Sequence, residues 1–120
     1  MNGRHIKAVG QGNPVSLSSP KTVEKFLFDL VNRLGMRILG SPHIYGEEHG
    51  GVSGIVVLTT SHIAIHTRLR KVRDTEYGFF NLDVFSCRVF ADEPVKDLLE
   101  EYFAMSAVSI SDLSDSLDFP

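Results

Sequence analysis

The stretch "GIVVLTTSHIAIHT", residues 54–67, constrains the fold more than any other part of the chain. Its two apolar runs are short and rich in β-branched residues, so both read as buried strand. Between them lies a polar knot, Thr59-Thr60-Ser61-His62, which is either a turn or a piece of chemistry. Further on, "FFNLDVFSCRVF" is a long alternating run of aromatic and β-branched residues. A chain with this centre builds sheet, and the flanking segments must supply its cover.

"RHIKAV", residues 4–9, alternates weakly and stops at the turn signal Gly10-Gln11-Gly12-Asn13-Pro14, which predicts a short strand. Ser19-Pro20 opens a helix, because serine caps free amides and proline fits the first turn. Val23, Phe26, Leu27, Leu30, Val31 and Leu34 then recur at helical spacing, and Gly35 supplies the stop. "MRILGS" predicts a second strand and "SPHIYGEEHGG" a polar, glycine-rich loop. Asp92-Glu93-Pro94 starts a second helix, with Val95, Leu98, Leu99, Tyr102 and Phe103 on one face. "SAVSISDL" predicts a last strand and "SDSLDFP" a frayed acidic tail. The order predicts an α+β two-layer sandwich, a largely antiparallel sheet covered on one face by two helices. Its uncovered face points to a homodimer formed sheet to sheet.

One hundred and twenty residues suit a single domain, 1–120, and 42% hydrophobic with 22% charged residues match a globular chain. A formal charge of -3 gives no drive toward nucleic acid or an anionic membrane. No apolar run approaches the ~20 residues that span a bilayer, and the polar start has no apolar signal core, so a cytoplasmic location is expected. Cys87 is the single cysteine, a packed thiol or a reactive one.

Several residues carry chemical potential, each beside a blander reading. His62 and His66 share a strand face and, with His43 or His49, would make a metal site, but no cysteine or carboxylate at helpful spacing supports one. Arg68, Arg70, Lys71 and Arg73 read as solvated charges at a hairpin tip, or as an anion contact. Ser61 lacks the glycines of a hydrolase nucleophile elbow. Cys87 would share a strand face with Asp83 and Phe85, where a small buried thiol is ordinary.

Taken together, "GVSGIVVLTTSHIAIHT" and "EYGFFNLDVFSC" resemble the pyruvoyl-dependent S-adenosylmethionine decarboxylases of bacteria and archaea, with "GRH" and "GSPHIY" extending the likeness across residues 3–103. The resemblance implies a chain that cuts itself between Thr60 and Ser61. Ser61 Oγ would attack the Thr60 carbonyl, and elimination of the resulting ester would leave a pyruvoyl group, derived from Ser61, heading residues 61–120. It also implies that His66 assists processing, that Ser53 lies in the same site, and that Cys87 donates a proton in catalysis. The pyruvoyl ketone would bind the substrate amine as a Schiff base and act as electron sink while CO2 leaves, after which a thiol can reprotonate the carbanion.

Ser61 and His66 are five residues apart, which an unbroken strand would place on opposite faces, so a bend or bulge at 60–62 is expected. The chain departs from the family pattern in having Thr60 where glutamate is usual, in the insertion "RLRKVRDT" after Thr67, and in Arg88 after the cysteine. Tyr45 and Glu76 are the nearest matches to the family's adenine-stacking and ribose-holding residues. Three functions follow: decarboxylation of S-adenosylmethionine for spermidine biosynthesis, the same machinery acting on arginine or ornithine, or a non-processing homologue that binds a ligand or partner.

Overall fold

The structure, a computed structural model, describes residues 3–114; the acidic tail beyond Ser114 lies outside them. Six strands form one antiparallel sheet: β1 (Arg4–Gly12), β2 (Ile38–Gly46), β3 (Val52–Leu58), β4 (Ser61–Val72), β5 (Thr75–Ser86) and β6 (Ala107–Asp112). Their order across the sheet is β2-β3-β4-β5-β1-β6. Alternation sends Ile6, Ala8, Val52, Val56, Ile63, Ile65, Leu82 and Val84 to one face, where all are buried against the helices.

Three helices cover that face rather than the expected two. The longest, α2 (Pro20–Arg33), starts as the sequence dictates, with Ser19 Oγ accepting the Thr22 amide, and ends before Gly35 at φ +66°. It buries Phe26, Leu27 and Leu30 against the sheet and meets α3 (Glu93–Phe103) through Phe26 and Phe103, whose ring centroids are 4.9 Å apart. Tyr102 donates to Asp29 across the same seam, and that bond pushes the phenol up to about 12. The additional helix is α1 (Pro14–Leu17), a single turn capped by Asn13, in the stretch whose glycines and proline read as a plain turn. It packs closely on the paired glycines of β1 and β5: a Cβ at Gly12 would stand 3.3 Å from Leu17, and 2.7 Å from the Phe103 carbonyl oxygen at the end of α3, and one at Gly78 2.9 Å from Leu17.

Four local expectations are corrected. β2 continues through "SPHIYG", because the ladder with β3 resumes past an irregularity at residues 39–43, and only residues 47–51 form the loop. Arg68, Arg70 and Lys71 lie within β4, and the tip of the β4–β5 hairpin is Arg73-Asp74. The insertion therefore lengthens two paired strands, in a body measuring 52 × 28 × 22 Å. Cys87 lies one residue past the end of β5, not within it. No bulge interrupts residues 60–62, since β4 pairs with β3 without a break from Ser61 onward.

Candidate active site

The polar knot is a turn. Leu58 pairs with Ser61, so Thr59 and Thr60 are the two loop residues of the β3–β4 hairpin. Thr60 has φ +59°, a left-handed conformation suited to glycine or asparagine. For a β-branched residue it costs on the order of 1–2 kcal/mol, stored next to the bond between Thr60 and Ser61.

Around this turn the chain gathers Cys87 and Ser61. Thr60 Oγ1 lies 2.6 Å from both the Thr59 carbonyl oxygen and Cys87 Sγ. A hydroxyl has one hydrogen; given to the carbonyl, it leaves Oγ1 to accept the thiol proton. The Cys87 amide donates to Ser61 Oγ at 3.3 Å, and Arg88 anchors the segment by donating to the Gly35 carbonyl at 2.9 Å. A concavity of about 470 Å³ opens here, with Met36, Arg37, Thr60, Ser61 and Cys87 in its wall.

A second group forms on the outer face of the sheet, the one the helices leave open. Ser53 of β3 stands opposite His66 of β4, and Ser53 Oγ lies 2.8 Å from His66 Nδ1. The same hydroxyl donates to Glu47 Oε1 at 3.1 Å from the β2–β3 loop. These three residues border a concavity of about 860 Å³ that also takes in Arg68, Phe79 and Asn81. Tyr45 is paired with Ser53 and exposed on this face. On the reverse side of β4, buried Thr67 donates to the Leu17 carbonyl at 2.6 Å and accepts the Val52 amide at 2.8 Å.

Midway between the two groups, Asp83 accepts from His5 Nε2 at 2.8 Å and His62 Nε2 at 3.0 Å. Burial pushes its carboxyl upward, but the hydrogen bonds and charge of the two imidazoles outweigh this and hold it below the ordinary value. Phe85 braces the pair, stacked on His62 and edge-on to His5.

The structure thus brings together Thr60, Ser61 and Cys87, and separately Ser53 and His66 with Tyr45 beside them. It does not bring the two sets together: Ser61 and His66 sit on opposite faces of an unbroken strand, about 16 Å apart by the rise per residue. Glu76 joins neither set; it faces Lys71 near the hairpin tip and borders neither concavity. His62 and His66 do share a face, but His62 is bonded to Asp83, and no cluster able to hold a metal occurs among the described residues. Sequence reasoning passed over Glu47, Asp83 and Thr67 as site residues. Only Asp83 left a trace, as a charge within an apolar alternation.

The chain resembles known proteins over nearly its whole length. A family model described as S-adenosylmethionine decarboxylase matches residues 6–115. The S-adenosylmethionine decarboxylase proenzyme of Archaeoglobus fulgidus is 35% identical over 86 residues, 71% of this chain and 70% of that protein. That of Pyrococcus furiosus is 26% identical over 118 residues, 97% of this chain and 80% of its own. The crystal structure of the adenosylmethionine decarboxylase from Aquifex aeolicus matches the fold with a TM-score of 0.75, over 94% of this chain and 89% of that one, at 20% identity. No helix among the described residues is long and apolar enough to cross a membrane.

Proposed function

The chain belongs to the S-adenosylmethionine decarboxylase family, and from that premise we propose that it cleaves itself between Thr60 and Ser61 and then decarboxylates S-adenosylmethionine, yielding the aminopropyl donor of spermidine biosynthesis. The observation that carries the cleavage step is the left-handed Thr60, strained beside a half-exposed serine that opens a strand. Attack of Ser61 Oγ on the Thr60 carbonyl exchanges the amide for an ester and frees the Ser61 nitrogen as an amine. Loss of the Ser61 α-proton expels the Thr60 carboxylate. Water then replaces the nitrogen, releasing ammonia and leaving the ketone of a pyruvoyl group. That group supplies an electron sink for loss of the substrate carboxyl. The Cys87 thiol, at the rim of the same concavity, returns the proton to the carbon that CO2 leaves.

The proton acceptor that cleavage needs is His66, and its distance from Ser61 within one chain argues for a site shared between two copies. The outer face exposes Val9, Leu39, Tyr45, Ile55 and Val57, an apolar surface suited to sheet-on-sheet packing about 10 Å apart. A homodimer needs a two-fold axis in the plane between the sheets. If the axis crosses the strands at the row Ile55–Ala64–Asp83, residues two steps to one side face the partner's residues two steps to the other. His62 of one copy then lies over the partner's His66, and Val57 over the partner's Ser53. Small Ala64 at the axis permits close approach. The partner's Ser53 and the partner's His66 thereby stand over the outer face of β4 beside Ser61, whose hydroxyl must turn from the helix side to meet them.

Intact mass with labelled-CO2 release tests the reading. Purified protein is expected as two pieces of roughly half of 13.3 kDa each and to release CO2 from S-adenosylmethionine in preference to arginine or ornithine. A chain that stays whole and releases none from any of the three overturns it.

A further inference from the structure

Glu47 has no role in the chemistry above, yet it is bonded to the residue that contacts His66. We propose that Glu47 is a positioning residue: acting through Ser53, it holds His66 in the Nδ1–H tautomer and so keeps Nε2 as the nitrogen free to accept a proton.

Hydrogen counting carries the inference. A carboxylate only accepts, so the one hydrogen of the Ser53 hydroxyl goes to Glu47 Oε1, 3.1 Å away. Ser53 Oγ then meets His66 Nδ1 at 2.8 Å with lone pairs alone, and the hydrogen in that contact must belong to the imidazole. In neutral imidazole a hydrogen on Nδ1 leaves Nε2 with a lone pair. Among the described residues Nε2 has no hydrogen-bond partner, and His66 borders the outer-face concavity. Without Glu47 the Ser53 hydrogen is free to turn toward Nδ1. That favours the other tautomer, in which Nε2 carries the hydrogen and cannot act as a base.

The loop is built to keep Glu47 in place. Its amide donates to the Gly51 carbonyl at 2.8 Å, and its own carbonyl accepts the Gly50 amide at 3.0 Å. Gly50 closes this turn at φ +90°, a conformation that side chains rarely adopt. Ser53 and His66 are fixed by direct pairing between β3 and β4, so every member of the Glu47–Ser53–His66 chain is anchored by its backbone.

The inference rests on the proposed use of His66 as proton acceptor, but the tautomer can be read without any turnover. The test is long-range proton–nitrogen NMR of the imidazoles in full-length, nitrogen-15-labelled protein, with the His66 signals assigned by their loss in His66→Gln. We expect a hydrogen-bearing Nδ1 and a pyridine-like Nε2 in the parent. Glu47→Ala and, independently, Ser53→Ala should move His66 toward the Nε2–H form while leaving the His5 and His62 signals in place. Self-cleavage in Glu47→Ala should slow by about tenfold. An Nε2–H tautomer in the parent, or one unchanged in Glu47→Ala, overturns the inference. The expected tautomers in a chain that neither cleaves nor releases CO2 uphold it and count against the functional reading alone.

Discussion

The turn at Thr60–Ser61–Cys87 and the cluster at Glu47–Ser53–His66 are carried by the same pair of strands but built by opposite means. At the turn, the backbone is held where a β-branched residue is uncomfortable, and the hydroxyl and thiol meet beyond the strand ends. In the cluster the backbone is ordinary ladder, and the order comes from hydrogen bonds that leave each group one role. The first region holds energy that a broken bond can release; the second is arranged so that nothing need move when a proton arrives. The proposed self-cleavage calls on both kinds, and they lie about 16 Å apart on one chain.

The sharpest way to break this comparison is to divide the regions between chains. Ser61→Ala and His66→Ala should each abolish self-cleavage and CO2 release when alone. Unfolded together and refolded as mixed dimers, they should regain one working site per dimer. Mixtures that remain uncleaved on mass analysis would mean that both regions serve the same copy. Next in size, Cys87→Ala is expected to leave two pieces on mass analysis but to lower CO2 release by about 10²–10⁴; full turnover would remove the thiol from the chemistry.

A smaller effect is expected at the turn itself. Thr60→Gly accepts φ +59° without the Cβ clash, which should stabilise the uncleaved chain by about 1 kcal/mol and slow cleavage by about fivefold. Thermal melts in a Ser61→Ala background and a cleavage time course would read both, and faster cleavage would refute a role for strain. Smallest is the pH response of Asp83, which lies between the regions. Its carboxyl is depressed in the folded chain, so its stabilisation is present above the ordinary value of 3.8 and is lost as pH falls through the lower folded value. The urea midpoint of the parent should exceed that of Asp83→Asn at pH 6, and the gap should shrink below about pH 4. A constant gap would show that the imidazoles do not favour the ionised carboxylate.

Much of this was legible in the residues, for identifiable reasons. The helix at Pro20 and the strands at 52–58 and over 62–67 announce themselves because capping, apolar period and β-branching agree, whereas the charged second half of β4 read as a hairpin tip. The turn at Thr59-Thr60 stood only as one of two readings because two threonines lack the glycine or asparagine that usually marks a tight hairpin. The first half of β2 was legible in "MRILGS", but its continuation was hidden because its residues are largely polar or glycine, so only pairing with β3 reveals it as strand. In the site, Ser61, Cys87, Ser53 and His66 were readable as residues but not as two separate groups. The obstacle was parity: a five-residue spacing invites a bulge, whereas the sheet keeps both residues in regular register. Glu47 could not be found from spacing, since it reaches Ser53 only through the closure of the loop.

The strand order has a topological consequence. A cut between Thr60 and Ser61 assigns β1, β2 and β3 to one piece and β4, β5 and β6 to the other. In the sheet β1 lies between β5 and β6, while β4 lies against β3, so the two pieces are interlaced along three seams. Scission would therefore release nothing, yet it would turn a folding problem of one molecule into one of two. Unfolded after the cut, each copy should regain its sheet at a rate set by concentration; unfolded before it, the sheet of each copy should return at a rate independent of concentration, leaving only the pairing of copies to depend on it.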